Sequence, residues 1–266
     1  MKNILIITSK KNLNSKIAKN IITYIKSKNI NFKLIDINEH TDIKTNIKKD
    51  TLLLSIGGDG TALKGMKIAW EYNLLFVPVG SGRVGYLVNT EKEIMNLLND
   101  WLKNDYKFAN RKAILQNKIV ELPAFNEVVI IKNSPTKLLD LVIETYGQKV
   151  KLRSDGIIIS TSLGSTAYNY SAGGPIVQND IDSIIITPIS PFSKFPRSVV
   201  INKKSQLKIT IKKNQNFAIQ FDGFVEEQNK FNHDEIYEYN LSNKSVKLLG
   251  DNSNPKLDRF LNQILR

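Results

Sequence analysis

Residues 52–56 form a near-continuous apolar run, Leu-Leu-Leu-Ser-Ile, that ends on Gly57-Gly58-Asp59-Gly60-Thr61. Helical periodicity follows at once over residues 61–70. A strand that does not alternate polar with apolar residues is buried on both faces. Covering both faces takes helices, so this run calls for a parallel sheet inside an α/β layer structure. The neighbouring sequence agrees. Residues 4–8 and 32–37 read as short β-rich strands, and Leu13, Ile17, Ile21 and Tyr24/Ile25 recur at helical spacing behind a cap at Asn14 or Ser15. Residues 74–79 make a further strand, and Ile94, Leu97, Leu98 and Trp101 mark another amphipathic helix. The expected architecture of this part is a doubly wound α/β domain over residues 1–103.

The pattern changes near residue 104. Short Val/Ile-rich runs cover residues 113–115, 125–131, 139–146, 156–160, 184–187, 206–211 and 217–221, separated by turns such as Lys132-Asn133-Ser134-Pro135. This predicts a mostly β second domain over residues 104–251. Residues 255–265 look helical again.

Composition removes several chemistries. The 266 residues contain no cysteine, which excludes disulfides, thiolate metal sites and cysteine nucleophiles. The two histidines, His40 and His233, stand in polar, turn-like stretches and read as surface residues. No apolar run approaches the ~20 residues of a membrane span, and residues 4–7 are too short for a signal sequence. A cytoplasmic protein without a membrane partner is expected. The net charge of +13 comes without a block of five or six basic residues, so it reads as a solvated basic surface and not as a nucleic-acid site.

Four constellations can carry chemistry. In Gly57-Gly58-Asp59-Gly60-Thr61, glycines let the backbone approach a ligand, and the helix N-terminus behind them offers N–H groups to phosphate. An acidic residue would repel a bound anion, so Asp59 points to a base or hydroxyl acceptor beside the phosphate; as a plain alternative it caps the helix. Gly60 and Gly65 have Walker-type spacing, but Met66-Lys67 follow where Lys-Ser/Thr is needed. The segment Gly80-Ser81-Gly82-Arg83-Val84-Gly85 has a formal G-x-G-x-x-G pattern. A dinucleotide fingerprint also needs an acidic residue ~20 positions on, at the end of a second strand. A helix around Leu97–Trp101 stands there instead, so this segment reads as a structural turn. Asn126-Glu127, placed within a strand, would suit adenine or ribose recognition, although a polar strand end is the simpler reading. Residues 154–175 run Ser-Asp-Gly, a strand, then Thr161-Ser162-Leu163-Gly164-Ser165-Thr166-Ala167-Tyr168-Asn169-Tyr170-Ser171-Ala172-Gly173-Gly174-Pro175. So many small and hydroxylated residues are expected to admit a ligand to the backbone rather than to build a core.

In order and spacing, these elements together resemble the NAD kinase family over most of the chain. The Gly-Gly-Asp-Gly-Thr element is also shared with lipid kinases. Gly164-Ser165-Thr166-Ala167-Tyr168 with Ser171-Ala172-Gly173-Gly174-Pro175 is much more specific. The sequence departs from the family in having Gly80 where Asn is common. Ser190 and Phe192 stand in place of Cys and His, and Phe224 follows Asp222-Gly223 where a polar residue is common.

The resemblance implies an α/β domain, a β-rich domain, a final helix (within residues 252–266) returning to the first domain, and NAD between the two. It implies transfer of the ATP γ-phosphoryl group to the adenosine 2′-hydroxyl of NAD. Asp59 is then the base, with Gly60 beside it. Gly57, Gly58, Gly60 and Thr61 form the ATP phosphate loop, and Lys64 and Arg153 contact phosphate. Asn126 and Glu127 hold the nucleoside. Asp155, Leu163, Thr166, Ala167, Tyr168, Asn169, Tyr170 and Ser171 line the NAD cleft. Magnesium is expected to arrive with ATP, its protein ligands unassigned, and a homodimer or homotetramer is expected. The competing classes are a diacylglycerol-type lipid kinase, which needs neither Asn126-Glu127 nor residues 164–168, and a nucleotide-binding regulator without turnover.

Overall fold

A computed structural model describes residues 2–38, 47–48, 50–82, 85–116, 119–192, 197–225 and 236–250. His40, His233, Arg83, Val84 and the helix expected over residues 255–265 lie outside the described residues. The chain divides into two compact units, residues 1–111 with 245–266, and residues 112–244. The division falls later than the change of pattern near residue 104 because a strand, Phe108–Gln116, begins in the first unit and ends in the second.

The first unit is built on β1 (Asn3–Thr8), α1 (Lys10–Leu13), α2 (Lys16–Ser27), β2 (Asn31–Asp36), β3 (Thr51–Gly57), α3 (Asp59–Tyr72), β4 (Leu75–Gly80) and α4 (Glu91–Lys103). The strands are parallel in the order β2-β1-β3-β4. Every residue of β3 is buried. One core joins Ile4, Ile6, Leu52, Leu54, Val77 and Val79 to Ile21 and Ile25 of α2 and Ile94, Leu98 and Trp101 of α4. On α3, Gly65 lies so close to Phe76 and Ile7 that an added Cβ would stand 2.6 Å from the Phe76 ring. Ser15 caps α2, its hydroxyl accepting from Ala18 N–H at 3.2 Å. Leu13 belongs to the separate short helix α1, capped by Ser9. Thr90 and Glu93 form a capping box on α4.

Because β1 lies between β2 and β3, the chain leaves β1 and β3 in opposite directions. The loops beyond their carboxyl ends therefore diverge, and such a switch point is where open parallel sheets bind ligands. The Gly57–Thr61 segment stands there.

The second unit begins with the end of β5 (Phe108–Gln116), followed by β6 (Ile119–Ala124), β7 (Glu127–Lys132), β8 (Leu139–Thr145), β9 (Gln148–Ser154) and β10 (Gly156–Thr161). A 3-10 turn (Leu163–Thr166) and the single-turn helix α5 (Tyr168–Ser171) come next. The remaining strands are β11 (Ser183–Ile189), β12 (Val199–Asn202), β13 (Leu207–Ile211), β14 (Phe217–Phe221), β15 (Phe224–Val225) and β16 (Ile236–Leu249). One antiparallel sheet runs β12-β11-β10-β7-β14-β15. A second pairs β9 with β8, β8 with β13, and β13 with the first part of β16. Val128, Ile130, Ile157, Ile159 and Ile186 of the former pack with Leu141, Ile143, Leu152, Ile209 and Tyr237 of the latter in one core. Alternating inward residues of this kind make a two-layer β arrangement. The α/β plus mostly β class expected from the sequence is the class observed.

Candidate active site

In the first unit, β3 delivers the glycine segment and α3 starts inside it. Asp59 is the first helical residue, not the cap; Gly58 occupies the cap position without a side-chain bond. The first helical bond runs from Ala62 N–H to Gly58 C=O at 3.0 Å. The N–H groups of Asp59, Gly60 and Thr61 therefore precede the helical ladder, at the positive end of the helix. A Cβ added at Gly58 or Gly60 would meet nothing within 4 Å, so the space over this turn is open. At Gly57 it would strike the Thr61 side chain, which folds back over the end of β3. Lys64 is on the following helical turn.

The Asp59 carboxylate is held from one side. Its Oδ2 accepts the Tyr86 N–H at 2.9 Å, and its Oδ1 accepts the Leu87 N–H at 2.9 Å. The turn after β4 thus docks on Asp59. It can approach because residue 85 has no side chain: an added Cβ would stand 2.3 Å from Asp59 Oδ1. The last glycine of the G-x-G-x-x-G segment is structural, as read, but the group it makes room for is the carboxylate singled out on other grounds.

In the second unit, Asn126 precedes β7 instead of lying within it, so only Glu127 is a strand residue. The Asn126 carbonyl accepts the Thr161 N–H at 2.9 Å and the Ser160 hydroxyl at 3.2 Å. The 3-10 turn packs on the same peptide, and a Cβ at Gly164 would stand 2.1 Å from Asn126 O. Glu127 is only 7% exposed. The Tyr168 backbone N–H stands beside its carboxyl group, while Oε2 is buried without a hydrogen-bond partner among the described residues. Burial first, and the neighbouring Asp222 carboxylate second, push the Glu127 carboxyl up to about 8.

The small and hydroxylated residues after Ser160 do contribute to a core, contrary to the expectation from their composition. Ser160, Thr161, Ser162, Leu163, Gly164, Ser165 and Asn169 are buried, and the polar ones among them are satisfied locally. The Asn169 amide donates to Ser165 O at 3.0 Å and Pro175 O at 3.1 Å and accepts from the Thr187 hydroxyl at 2.7 Å. Its side chain shapes the segment and is not turned to a ligand. Thr166 and Ala167 are half-buried, and Tyr168, Tyr170 and Ser171 are exposed. Of these outward residues, Tyr168 stands beside the Glu127 carboxyl, and the two form one cluster.

Arg153 and Asp155 do not join that cluster. Ser160 pairs with Glu127, whereas Gly156 pairs with Ile131 at the far end of β10. At ~3.3 Å per strand residue, Asp155 lies roughly 17 Å along the strand from the position opposite Glu127. Asp155 forms an ion pair with Lys132 at 2.5 Å, and Arg153 pairs with Asp140 at 3.1 Å beneath the exposed Phe192 ring at 5.7 Å. Arg153, Asp140, Lys137 and Gln215 line a cavity of about 600 Å³. A larger cavity of about 820 Å³, lined by Lys2, Lys48, Trp101, Phe108 and Lys247, is at the amino ends of the parallel strands and holds none of the motif residues. Among the described residues no group of three His, Asp or Glu could cage a metal ion, and no helix is long and apolar enough to cross a membrane.

The fold joins a parallel α/β unit and a mostly β unit in one chain. Two solved structures share this fold, each 21% identical in sequence. One is an NAD kinase from Archaeoglobus fulgidus in complex with ATP (TM-score 0.76, covering 98% of this chain and 97% of that one). The other is yeast NADH kinase complexed with NADH (TM-score 0.80, covering 100% and 87%). The ATP-NAD kinase C-terminal domain model matches residues 125–249. The NAD kinase of Caldicellulosiruptor bescii is 35% identical over 248 residues, 90% of each chain. The chain belongs to the NAD kinase family. It also matches the bifunctional NADP phosphatase/NAD kinases of Methanocaldococcus jannaschii (34% identical, 79% of this chain) and Methanococcus maripaludis (32%, 92% of this chain), of whose length it spans 38% and 46%.

Proposed function

We propose that this chain is an ATP-dependent NAD kinase that phosphorylates the adenosine 2′-hydroxyl of NAD. The observation that carries the reading is Asp59, a carboxylate fixed at the carboxyl end of β3 beside helix N–H groups that precede the helical ladder. Glycine N–H groups and a positive helix end suit the triphosphate of ATP. Each Asp59 oxygen accepts one backbone N–H, and each keeps a lone pair for a substrate hydroxyl.

Asp59 takes the proton of the ribose hydroxyl as the new O–P bond forms to the γ-phosphorus and the bond to ADP breaks. General-base help of this kind is worth about 10²–10⁴ in rate. Alignment of the hydroxyl with the phosphorus supplies much of the remainder. The donor set suits a metal that enters with the triphosphate, because no group of three carboxylates or histidines is gathered among the described residues and magnesium keeps phosphate and water ligands. When bound, the ion neutralises charge on the transferring group, with Lys64 as the nearby cation on α3. Asn126 and Glu127 recognise the nucleoside, while Thr166, Ala167, Tyr168, Tyr170 and Ser171 form the outward wall of the same nucleotide site. Leu163 and Asn169 support that wall from inside. At the far end of β10, Arg153 contacts a phosphate and Asp155 lines a more distant part of the dinucleotide cleft.

The test is NADP formation by the purified protein from NAD, ATP and magnesium, followed by a dehydrogenase specific for NADP. Product sinks the regulator reading. Absence of product together with phosphorylation of diacylglycerol would replace this function with the lipid kinase one. Light scattering of the same sample decides between a dimer or tetramer and a monomer.

A further inference from the structure

The Asp222-Gly223 pair joins β14 to β15 as a two-residue hairpin turn, with Phe221 opposite Phe224. Both turn residues have positive φ, 52° and 80°, the geometry that favours Asp-Gly. A hairpin needs nothing more from residue 222, and Asn or Gly would serve the turn equally well. Yet its carboxylate is turned onto a different strand connection. Asp222 Oδ1 accepts the Asn126 N–H at 2.7 Å and the Glu127 N–H at 3.3 Å, and Oδ2 accepts the Phe125 N–H at 2.9 Å. Its own N–H donates to Glu127 C=O at 3.0 Å. Three consecutive backbone N–H groups converging on one anion make a concave cradle.

Resting on the nucleotide reading above, we propose that Asp222 is a positioning residue for nucleoside recognition: its carboxylate gathers the N–H groups of Phe125, Asn126 and Glu127 and so aims the Asn126 amide and the Glu127 carboxyl at the nucleotide. The peptide is gripped from both sides. Asp222 holds its N–H groups, while Thr161 and Ser160 hold the Asn126 carbonyl. The Asn126 side chain is left half-buried and makes no hydrogen bond among the described residues. Glu127 likewise keeps Oε2 without a hydrogen-bond partner among the described residues. A buried polar atom held ready in this way is costly unless a ligand completes it. Asp222 also stands beside Glu127 as a like charge, which favours the protonated carboxyl as a donor to the ligand.

The test uses Asp222→Asn, which keeps the shape and removes the charge, and Asp222→Gly, which keeps the positive φ and removes the carboxylate. Two readouts are taken on folded protein: the Michaelis constants for NAD and ATP with kcat, and amide exchange of residues 125–127. The expected result is an NAD KM raised roughly tenfold or more, the loss of about one charge-assisted hydrogen bond. The ATP KM and kcat should stay within about threefold, with faster exchange at residues 125–127 and larger effects in the glycine variant. An unchanged NAD KM in both variants overturns the proposal, whether or not exchange speeds up, because the carboxylate would then serve only the fold. A wild type that makes no NADP refutes the kinase reading instead, and calorimetric binding of NAD to the same three proteins then decides the positioning claim. Tenfold weaker binding in the variants supports it. Equal binding, or no NAD binding by the wild type, overturns it.

Discussion

Gly85→Ala puts one methyl group between the turn after β4 and the carboxylate that the turn docks on. The new Cβ would stand 2.3 Å from Asp59 Oδ1, 2.9 Å from Asp59 Cγ and 2.9 Å from Val88 Cγ2. Carbon and oxygen in contact need more than 3 Å, so Asp59 or the turn must move by close to 1 Å. Either movement weakens the bonds from Tyr86 and Leu87 N–H. Each is a hydrogen bond to a charged group, worth roughly 1.5–3 kcal/mol. Partial loss of both, with overpacking, predicts about 2–3 kcal/mol of destabilisation. At ~2–4 °C per kcal/mol for a chain of this size, Tm should fall by roughly 4–12 °C. A misplacement near 1 Å in a phosphoryl-transfer site costs on the order of 100-fold, so kcat/KM should fall by about that factor. Gly82→Ala is the control, since a Cβ there meets nothing within 4 Å. Coupled NADP assays and melting curves on both variants decide the matter. Normal activity and an unmoved Tm for Gly85→Ala would refute the claim that this turn and Asp59 are one packed unit.

Two further outcomes follow from the second unit. Glu127 has a folded-state pKa of about 8, raised chiefly by burial. A raised carboxyl means the native state holds its proton more tightly than the unfolded chain, so this group's contribution is full below the unfolded value and is lost as pH rises to about 8. At ~1.4 kcal/mol per unit the loss is roughly 3–5 kcal/mol between pH 4.5 and 8, and Glu127→Gln, with no proton to lose, should flatten the fall seen in pH-dependent denaturant unfolding. Parallel pH curves for the two proteins would contradict it. Thr187→Val strips the hydroxyl that donates to Asn169 Oδ1 and leaves a buried acceptor unpaired. About 1–3 kcal/mol of stability should be lost, with a higher NAD KM because Asn169 ties Ser165 to Pro175. Calorimetric melting and steady-state kinetics check both parts, and an unchanged Tm would count against this role for Asn169.

What could be read from the sequence follows the physics of burial. β3 and the strands at residues 139–145, 156–161 and 217–221 are dense in branched apolar residues and sit close to where their patterns placed them. Missed strands lack that signal. β9 reads Gln-Lys-Val-Lys-Leu-Arg-Ser and buries only Leu152 and Ser154. β16 buries Tyr237, Tyr239, Leu241 and Val246 among polar residues over a length no short window suggests. In the candidate site, Asp59 stood out in the sequence because a carboxylate in a glycine turn before a helix would repel the anion such a turn suits. Its partners were not, because Tyr86 and Leu87 contribute backbone N–H groups, which leave no mark on residue identity. The hydroxyl-rich segment misled for a related reason: Ser160 and Ser165 donate to the backbone carbonyls of Thr161 and Val177, and Ser162 pairs with the Ser183 hydroxyl, so small polar residues can pack as a core. Asp222-Gly223 carries a recognisable hairpin signal, but nothing in it announces that the carboxylate serves residues 125–127.

The most direct test of the account is NADP formation by wild type and Asp59→Asn from NAD and magnesium-ATP. The account predicts steady product from the wild type and at least about a 100-fold loss of kcat in the variant, with the protein still folded and binding NAD. Near-normal turnover by Asp59→Asn would contradict it, leaving Asp59 as an anchor for the turn after β4 and the base to be sought elsewhere.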